Sequence, residues 1–235
     1  MIVIGIETAT ARTAVAIGSE SGIVAEAAVA GKARQESVTP VLEQLLRWSG
    51  LGLGQVGGVA VGLGPGLFTG LRVGVGSAKT LAQVLNVPIV GLPSIDVLAY
   101  AVRSTHRSIC AVIDARRKEV FRALYRPVPG GVMREAEPIV CTPAHLVAEL
   151  EAMPGEVLLV GDGAILYRDE LGQLGPRVEF ASAFVAHPSA SALVELAVPR
   201  LLREEHDRLF DVVPIYLRKS DAEIAWDKRA RGASA

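Results

Sequence analysis

The chain opens with a short continuous apolar run, Ile2 to Ile6, that ends in Glu7; after the polar stretch Thr8 to Arg12 a second β-rich run covers Thr13 to Ile17. This pattern predicts a strand, a tight turn and a returning strand. Ile23 to Val29, behind the Ser21-Gly22 turn, adds a third strand, so the opening is antiparallel. Thr39 is placed to cap a helix whose first residue is Pro40, with Val41, Leu42, Leu45, Leu46 and Trp48 on its apolar face and Gly50 as its stop. Val59 to Val61 reads as a buried strand running into a loop from Gly62 to Gly70. Beyond it Leu71, Val75, Ala78, Ala82 and Leu85 recur at helical spacing until Asn86 and Pro88 stop the helix. Val90 belongs to another strand, and Ser94 is placed to cap a helix through Ala99 and Val102.

The same grammar then repeats. Ile109 to Ile113 is an apolar run ending in Asp114, Val120 to Tyr125 returns as a strand, and the Pro127 to Gly131 turn leads to a third. Thr142 with Pro143 starts a helix through Leu146 and Leu150, Val157 to Val160 is a strand, and Pro188 to Leu202 reads as a long helix. Two βββαβα lobes are expected, residues 1–103 and 104–235, with the boundary near Arg103 to Ser108. A duplicated α/β unit with an acidic residue closing the first strand of each half points to the actin-like architecture shared by actin, sugar kinases and Hsp70 (the ASKHA, ribonuclease H-like fold). There nucleotide lies between the halves, and the two acidic strand ends, here Glu7 and Asp114, face its phosphates and metal.

Composition narrows the function. Half of the 235 residues are hydrophobic but only 5% are aromatic, so Val, Leu, Ile and Ala must fill the interior among many glycines. A formal net charge of -1 argues against binding nucleic acid by bulk phosphate neutralisation. Cys110 and Cys141 stand apart, without CxxC or histidine at ligand spacing, and are expected as buried small hydrophobes. The N-terminal run is broken by Glu7 and Arg12, which suits neither a signal peptide nor a membrane span, and a cytoplasmic location is expected.

The stretch Gly62 to Gly74 holds the densest chemistry. Gly64, Gly66 and Gly70 permit close backbone approach, and Thr69 could cap the following helix. Either a phosphate-sized anion sits there or the glycines allow tight strand-to-helix packing; the loop alone leaves both open. Gly161-Asp162-Gly163 offers a possible adenosine-binding turn. Nucleotide candidates are therefore Glu7, Thr8, Gly64, Gly66, Asp114, Gly161 and Gly163. Two departures argue against ATP turnover: bulky Arg116, Arg117 and Lys118 follow Asp114 where phosphate loops carry glycine, and Glu7 stands where a shorter aspartate is common.

Together with IETAT near the start, VIDARRKEVF in the middle and PIYLRKSDAE near the end, this glycine-rich stretch resembles the TsaB (YeaZ) family, over nearly the whole chain and in the correct order. That family is the dimerisation subunit of the bacterial machinery that makes N6-threonylcarbamoyladenosine at position 37 of tRNA. The resemblance implies a same-fold partner, TsaD, that carries the catalytic site, an ATPase, TsaE, a homodimer when TsaD is absent, and only indirect contact with tRNA. It also implies that the first two helices form the contact face, with Val38, Val41, Leu42, Leu45, Leu71, Val75, Ala78 and Ala82 as candidates.

No catalytic residue, cofactor or metal is expected. The stretch Lys32 to Glu43, matching where the catalytic relative needs paired histidines, holds none, and the four histidines, His106, His145, His187 and His206, are scattered. Gly-x-Ser-x-Gly is absent. The leading expectation is a non-catalytic scaffold that binds and activates TsaD. The alternative is an ATP-dependent phosphotransferase of the actin and sugar-kinase class; a metallopeptidase is a third reading. Arg116 to Lys118 and the tail Lys228, Arg229 and Arg231 are the local basic spots, and the segment Ala222 to Ala235, around Trp226, is expected to be mobile or partner-ordered.

Overall fold

The structure, a computed structural model, describes residues 1–31 and 36–218; the expectations for Lys228, Arg229, Arg231, Trp226 and the segment from Ala222 lie outside them. The first sheet consists of β1 (Ile2–Glu7), β2 (Arg12–Ser19), β3 (Gly22–Ala30), β4 (Val56–Gly62) and β5 (Ile89–Leu92), in the order β3-β2-β1-β4-β5. The second consists of β6 (Ser108–Arg116), β7 (Glu119–Val128), β8 (Gly131–Cys141), β9 (Val157–Val160) and β10 (Val178–Phe180), in the order β10-β9-β6-β7-β8. Read from β8, the second order repeats the first strand for strand. In each, the first three strands pair antiparallel and the last two join in parallel. The duplicated actin-like fold is present, and each unit carries a fifth strand beyond βββαβα. In the second unit that strand, β10, is only three residues long, too short to leave a periodic signal.

Helices α1 (Val38–Ser49) and α2 (Phe68–Leu85) cover one face of the first sheet. Alternation along β1 explains it: Ile4 and Ile6 point to α1 and α2, while Val3 points the other way. Both helices end as their sequences require, at Gly50 and Asn86 in the left-handed conformation. Their starts differ from expectation. Thr39 and Pro40 lie inside the first turn of α1, with Ser37 at the N-cap, and Thr69 lies inside α2, with Leu67 at its N-cap.

The two helices that close the sheets are exchanged. Helix α3 (Ser94–Tyr100) follows β5 but packs on the second sheet, where Ile95, Leu98 and Ala99 meet Ile109, Ala111 and Ile113. After α4 (Pro143–Ala152), α5 (Asp162–Leu166) and α6 (Arg168–Leu171) comes α7 (Ala190–Leu202). It follows β10 yet packs on the first sheet, where Leu193, Val194, Ala197 and Leu201 meet Val3, Ala14, Ala16 and Ala60. Gly5 makes the approach possible, because a Cβ there would lie 2.7 Å from Val194 Cγ2 and 2.9 Å from the Ala190 carbonyl oxygen. The packed layers thus cross the division between residues 1–103 and 104–235. No helix of the described residues is long and apolar enough to cross a membrane.

Each half cut at that division would leave one apolar sheet face bare. A polypeptide of residues 1–103 expressed alone is expected to give collapsed amide dispersion by NMR and no cooperative unfolding; a cooperative transition would contradict the exchange.

Candidate functional site

The first acidic strand end is a packed knot. Glu7 is 1% exposed; its Oε1 accepts from the Ala9 N–H at 2.8 Å, whereas Oε2 meets no strict hydrogen bond among the described residues. Burial pushes its carboxyl up from 4.5 to about 7, against the opposing pull of the Ala9 N–H, the nearby Ser94 hydroxyl and the Thr8 N–H. Ser94, the first residue of α3, does not cap its own helix: its hydroxyl accepts from the Gly64 N–H at 3.0 Å, and its N–H donates to the Gly64 carbonyl at 2.7 Å.

The glycine loop closes on the turn that follows β1. Thr8 Oγ1 donates to the Gly70 carbonyl at 2.8 Å, and the Leu67 N–H donates to the Ala9 carbonyl at 2.7 Å. A Cβ at Gly66 would stand 2.1 Å from the Ala9 oxygen, one at Gly70 2.3 Å from the Thr8 oxygen, and one at Gly74 2.1 Å from Thr8 Oγ1. Of the two readings that loop chemistry left open, the observed contacts are those of tight packing: the close backbone approach is to the chain's own Thr8 and Ala9. Gly64, at φ +97, bends the loop over Leu71.

The second acidic strand end is more open. Asp114 Oδ1 accepts from the Arg116 N–H at 2.8 Å, and Oδ2 pairs with Arg116 Nη1 at 3.0 Å. Arg116, Arg117 and Lys118 all take positive φ at the tip of the β6–β7 hairpin, where their side chains are exposed. Asp162 Oδ1 accepts from the Asp114 N–H at 3.0 Å, and burial, aided by the Asp114 charge, pushes its carboxyl up from 3.8 to about 6. His187 joins the halves: its Nδ1 lies 3.0 Å from Thr10 Oγ1 and 3.9 Å from Asp162 Oδ2. Burial and the Arg12 charge hold the imidazole below its ordinary value. Gly161 and Gly163 are pressed against β6, with Cβ positions 1.9 Å from the Val112 oxygen and 2.9 Å from the Ile113 carbonyl carbon.

Among the nucleotide candidates the structure therefore brings Glu7, Thr8, Gly64 and Gly66 together, and separately Asp114, Gly161 and Gly163, in both cases through contacts within the chain. Asp162, Thr10 and His187 were not singled out in the sequence; the aspartate between two glycines was the available signal for the first, and His187 shows only its tertiary setting. Among the described residues no three His, Cys, Asp or Glu side chains come together as a metal-ligand set. Cys110 and Cys141 are buried and unpaired with each other.

The expected contact residues need correction. Val38, Leu42, Leu45, Leu71, Val75, Ala78 and Ala82 are buried within the chain, and Val41 is half-buried against the same core. Seven of those eight side chains already fill the space beneath the helices and so are not free for a partner. The outward faces of the two helices carry Trp48, 71% exposed, and Val84, 75% exposed, with Phe68, Arg72, Gly76 and Thr80.

The family model described as TsaD: tRNA N6-adenosine threonylcarbamoyltransferase matches residues 6–226. The tRNA threonylcarbamoyladenosine biosynthesis protein TsaB of Haemophilus influenzae is 30% identical over 210 residues, covering 85% of each chain. Its Escherichia coli namesake is 27% identical over 97% of this chain and 98% of its own length. The solved structure of YeaZ from Pseudomonas aeruginosa superposes with a TM-score of 0.77 at 24% identity, over 92% of this chain and 100% of that one.

Two outcomes follow from the packing. The folded chain keeps the Glu7 proton up to about pH 7, whereas an unfolded glutamate releases it near 4.5. The folded state thus binds the extra proton, and the stability it contributes is complete below pH 4.5 and lost as pH rises through 7, roughly 3 kcal/mol in all. Glu7→Gln, which keeps an acceptor for Ala9, should flatten that slope in urea titrations at stepped pH and exceed the parent in stability at pH 8. Gly66→Val should lower stability by about 3 kcal/mol or prevent folding, because its Cβ meets backbone rather than a movable side chain; an unchanged thermal midpoint would refute the close contact.

Proposed function

The chain belongs to the TsaB family of tRNA threonylcarbamoyladenosine biosynthesis proteins, and from that membership we propose that it is a non-catalytic scaffold subunit. It binds and activates a TsaD-type catalytic subunit for N6-threonylcarbamoylation of adenosine 37 in tRNAs that read codons beginning with adenine. A TsaE-type ATPase completes the assembly, and the chain pairs with itself when the catalytic subunit is absent. The observation that supports the reading is the Thr8–Ala9 turn seated in the glycine loop, where the close backbone approach is to the chain itself.

Association then falls to the outward faces of α1 and α2. Trp48 and Val84 are large apolar groups in water on these helices, and an aromatic of that kind is a common centre of binding energy. Glycine and threonine at 76 and 80 leave a shallow strip on α2 where a second helix can come near. The exposed tip Arg116 to Lys118 is the basic spot best placed for tRNA phosphate once a complex forms.

The phosphotransferase reading predicts ATP hydrolysis by the isolated chain; the scaffold reading predicts none above background. Reconstitution with purified TsaD, TsaE, tRNA, ATP and an activated threonylcarbamoyl donor should give threonylcarbamoyladenosine only when this chain is present. Trp48→Asp, at an exposed position, should weaken binding to the catalytic subunit by about 2 kcal/mol or more, close to thirtyfold in Kd, without moving the thermal midpoint. Modification at full rate with the chain omitted would refute the role.

A further inference from the structure

Helix α3 gives way to a turn, residues 101–107, that leads into β6. Between this turn and the end of β7 lies a cavity of 580 Å³, lined by residues 103–106 on one side and 126–129 on the other. β6 runs from Ser108 towards Asp114, and β7 returns beside it with Tyr125 opposite Ile109. The cavity therefore sits at the start of β6, about 20 Å of strand away from Asp114. It belongs to neither acidic strand end.

The lining is of one chemical kind. Arg103, His106 and Arg126 bring nitrogen donors, Ser104 and Thr105 bring hydroxyls, and Pro127, Val128 and Pro129 form an apolar wall, with no carboxylate among them. Both arginines are held in place by other groups. Arg103 Nη2 donates to Glu195 at 2.9 Å, its Nη1 donates to the Tyr100 carbonyl at 3.2 Å, and the guanidinium lies over the Tyr100 ring at 3.9 Å. Arg126 Nε donates to Glu135 at 3.0 Å, and its Nη2 to Met133 Sδ at 3.8 Å. Neither Glu195 nor Glu135 lines the cavity.

A guanidinium carries five N–H groups in a rigid fork, so one carboxylate orients it without exhausting it. Among the described residues, Arg103 Nε and Arg126 Nη1 have no acceptor. The backbone N–H groups of Ser104, Thr105 and His106 likewise donate to none of the described residues. Oriented donors gathered round a hollow, with no carboxylate in its wall, match the three-oxygen face of a phosphate group. A volume of 580 Å³ lies within the usual range of ligand pockets, about 300 to 1,000 Å³, and leaves room beside the apolar wall for what the phosphate is attached to.

We propose that the cavity between residues 103–106 and 126–129 binds a phosphate group, carried either on an RNA backbone or on a small phosphorylated molecule. The proposal is independent of the scaffold reading, which places association on α1 and α2 and a tRNA contact at Arg116 to Lys118.

Inorganic phosphate is the probe, titrated into the 15N-labelled full chain at an ionic strength held constant with sodium chloride. The amide resonances of Ser104, Thr105 and His106 should shift to saturation. The double variant His106→Ala with Arg126→Gln, both at exposed positions, should weaken that binding about tenfold with the thermal midpoint unchanged. Arg103→Gln should weaken it as well; it also loses the Glu195 and Tyr100 contacts, so the double variant decides the matter if Arg103→Gln fails to fold. Fluorescence anisotropy with labelled tRNA separates the two sources. Weaker tRNA binding by the double variant, with phosphate competing in the parent, assigns the site to RNA; unchanged tRNA binding assigns it to a small phosphorylated molecule. Equal phosphate affinity in parent and double variant, or no saturable shift at residues 104–106, would overturn the proposal.

Discussion

The exchange of α3 and α7 is the constraint from which the rest of this architecture follows. Each sheet is apolar on both faces, and each half supplies helices for only one face of its own sheet. The uncovered face is filled by the helix that leaves the other half: α3 onto Ile109, Ala111 and Ile113, α7 onto Val3, Ala14 and Ala60. Because that contact is apolar, the halves cannot separate without exposing two cores. The relative placement of Glu7 and Asp114, each at the end of a strand central to its sheet, is inherited from it.

Packing also explains the electrostatics of the strand ends. Glu7 is buried with one oxygen short of a partner, so its neutral form is favoured, and the same burial raises Asp162 beside Asp114. The glycines at 66 and 70, for which loop chemistry left an anion and tight packing both open, lie against the Thr8–Ala9 turn, and Gly74 lies against the Thr8 side chain. The large apolar residues left in water, Trp48 on α1 and Val84 on α2, are the surface that the proposed scaffold role would use.

Strands, helix stops and duplication were legible because they depend on local order. Ile2 to Ile6, Thr13 to Ile17 and Ile23 to Val29 became β1, β2 and β3 almost residue for residue, and Gly50 and Asn86 ended their helices in the left-handed conformation. Helix starts were read less well: Thr39, Thr69 and Ser94 are good caps by type, yet each sits inside its helix. A cap is chosen by which residue the preceding chain can hold extended, and at Ser94 the hydroxyl is claimed by Gly64, thirty residues away.

Alternation, helical spacing and the acidic residue closing each first strand were enough to establish a doubled α/β unit, and four ordered segments were enough to point to its family, because these are properties of neighbours along the chain. Which apolar stripe is core and which is surface was settled only by tertiary packing. Val41, Leu42, Leu45 and Leu46 cover a wide arc, and spacing cannot say which part of it the sheet takes; folding buried Leu42 and Leu45 and left Trp48 in water. The use of the glycine loop, the exchange of α3 and α7, and the meeting of Thr10 with His187 likewise join residues distant in sequence, so they exist only once the two sheets have been brought together.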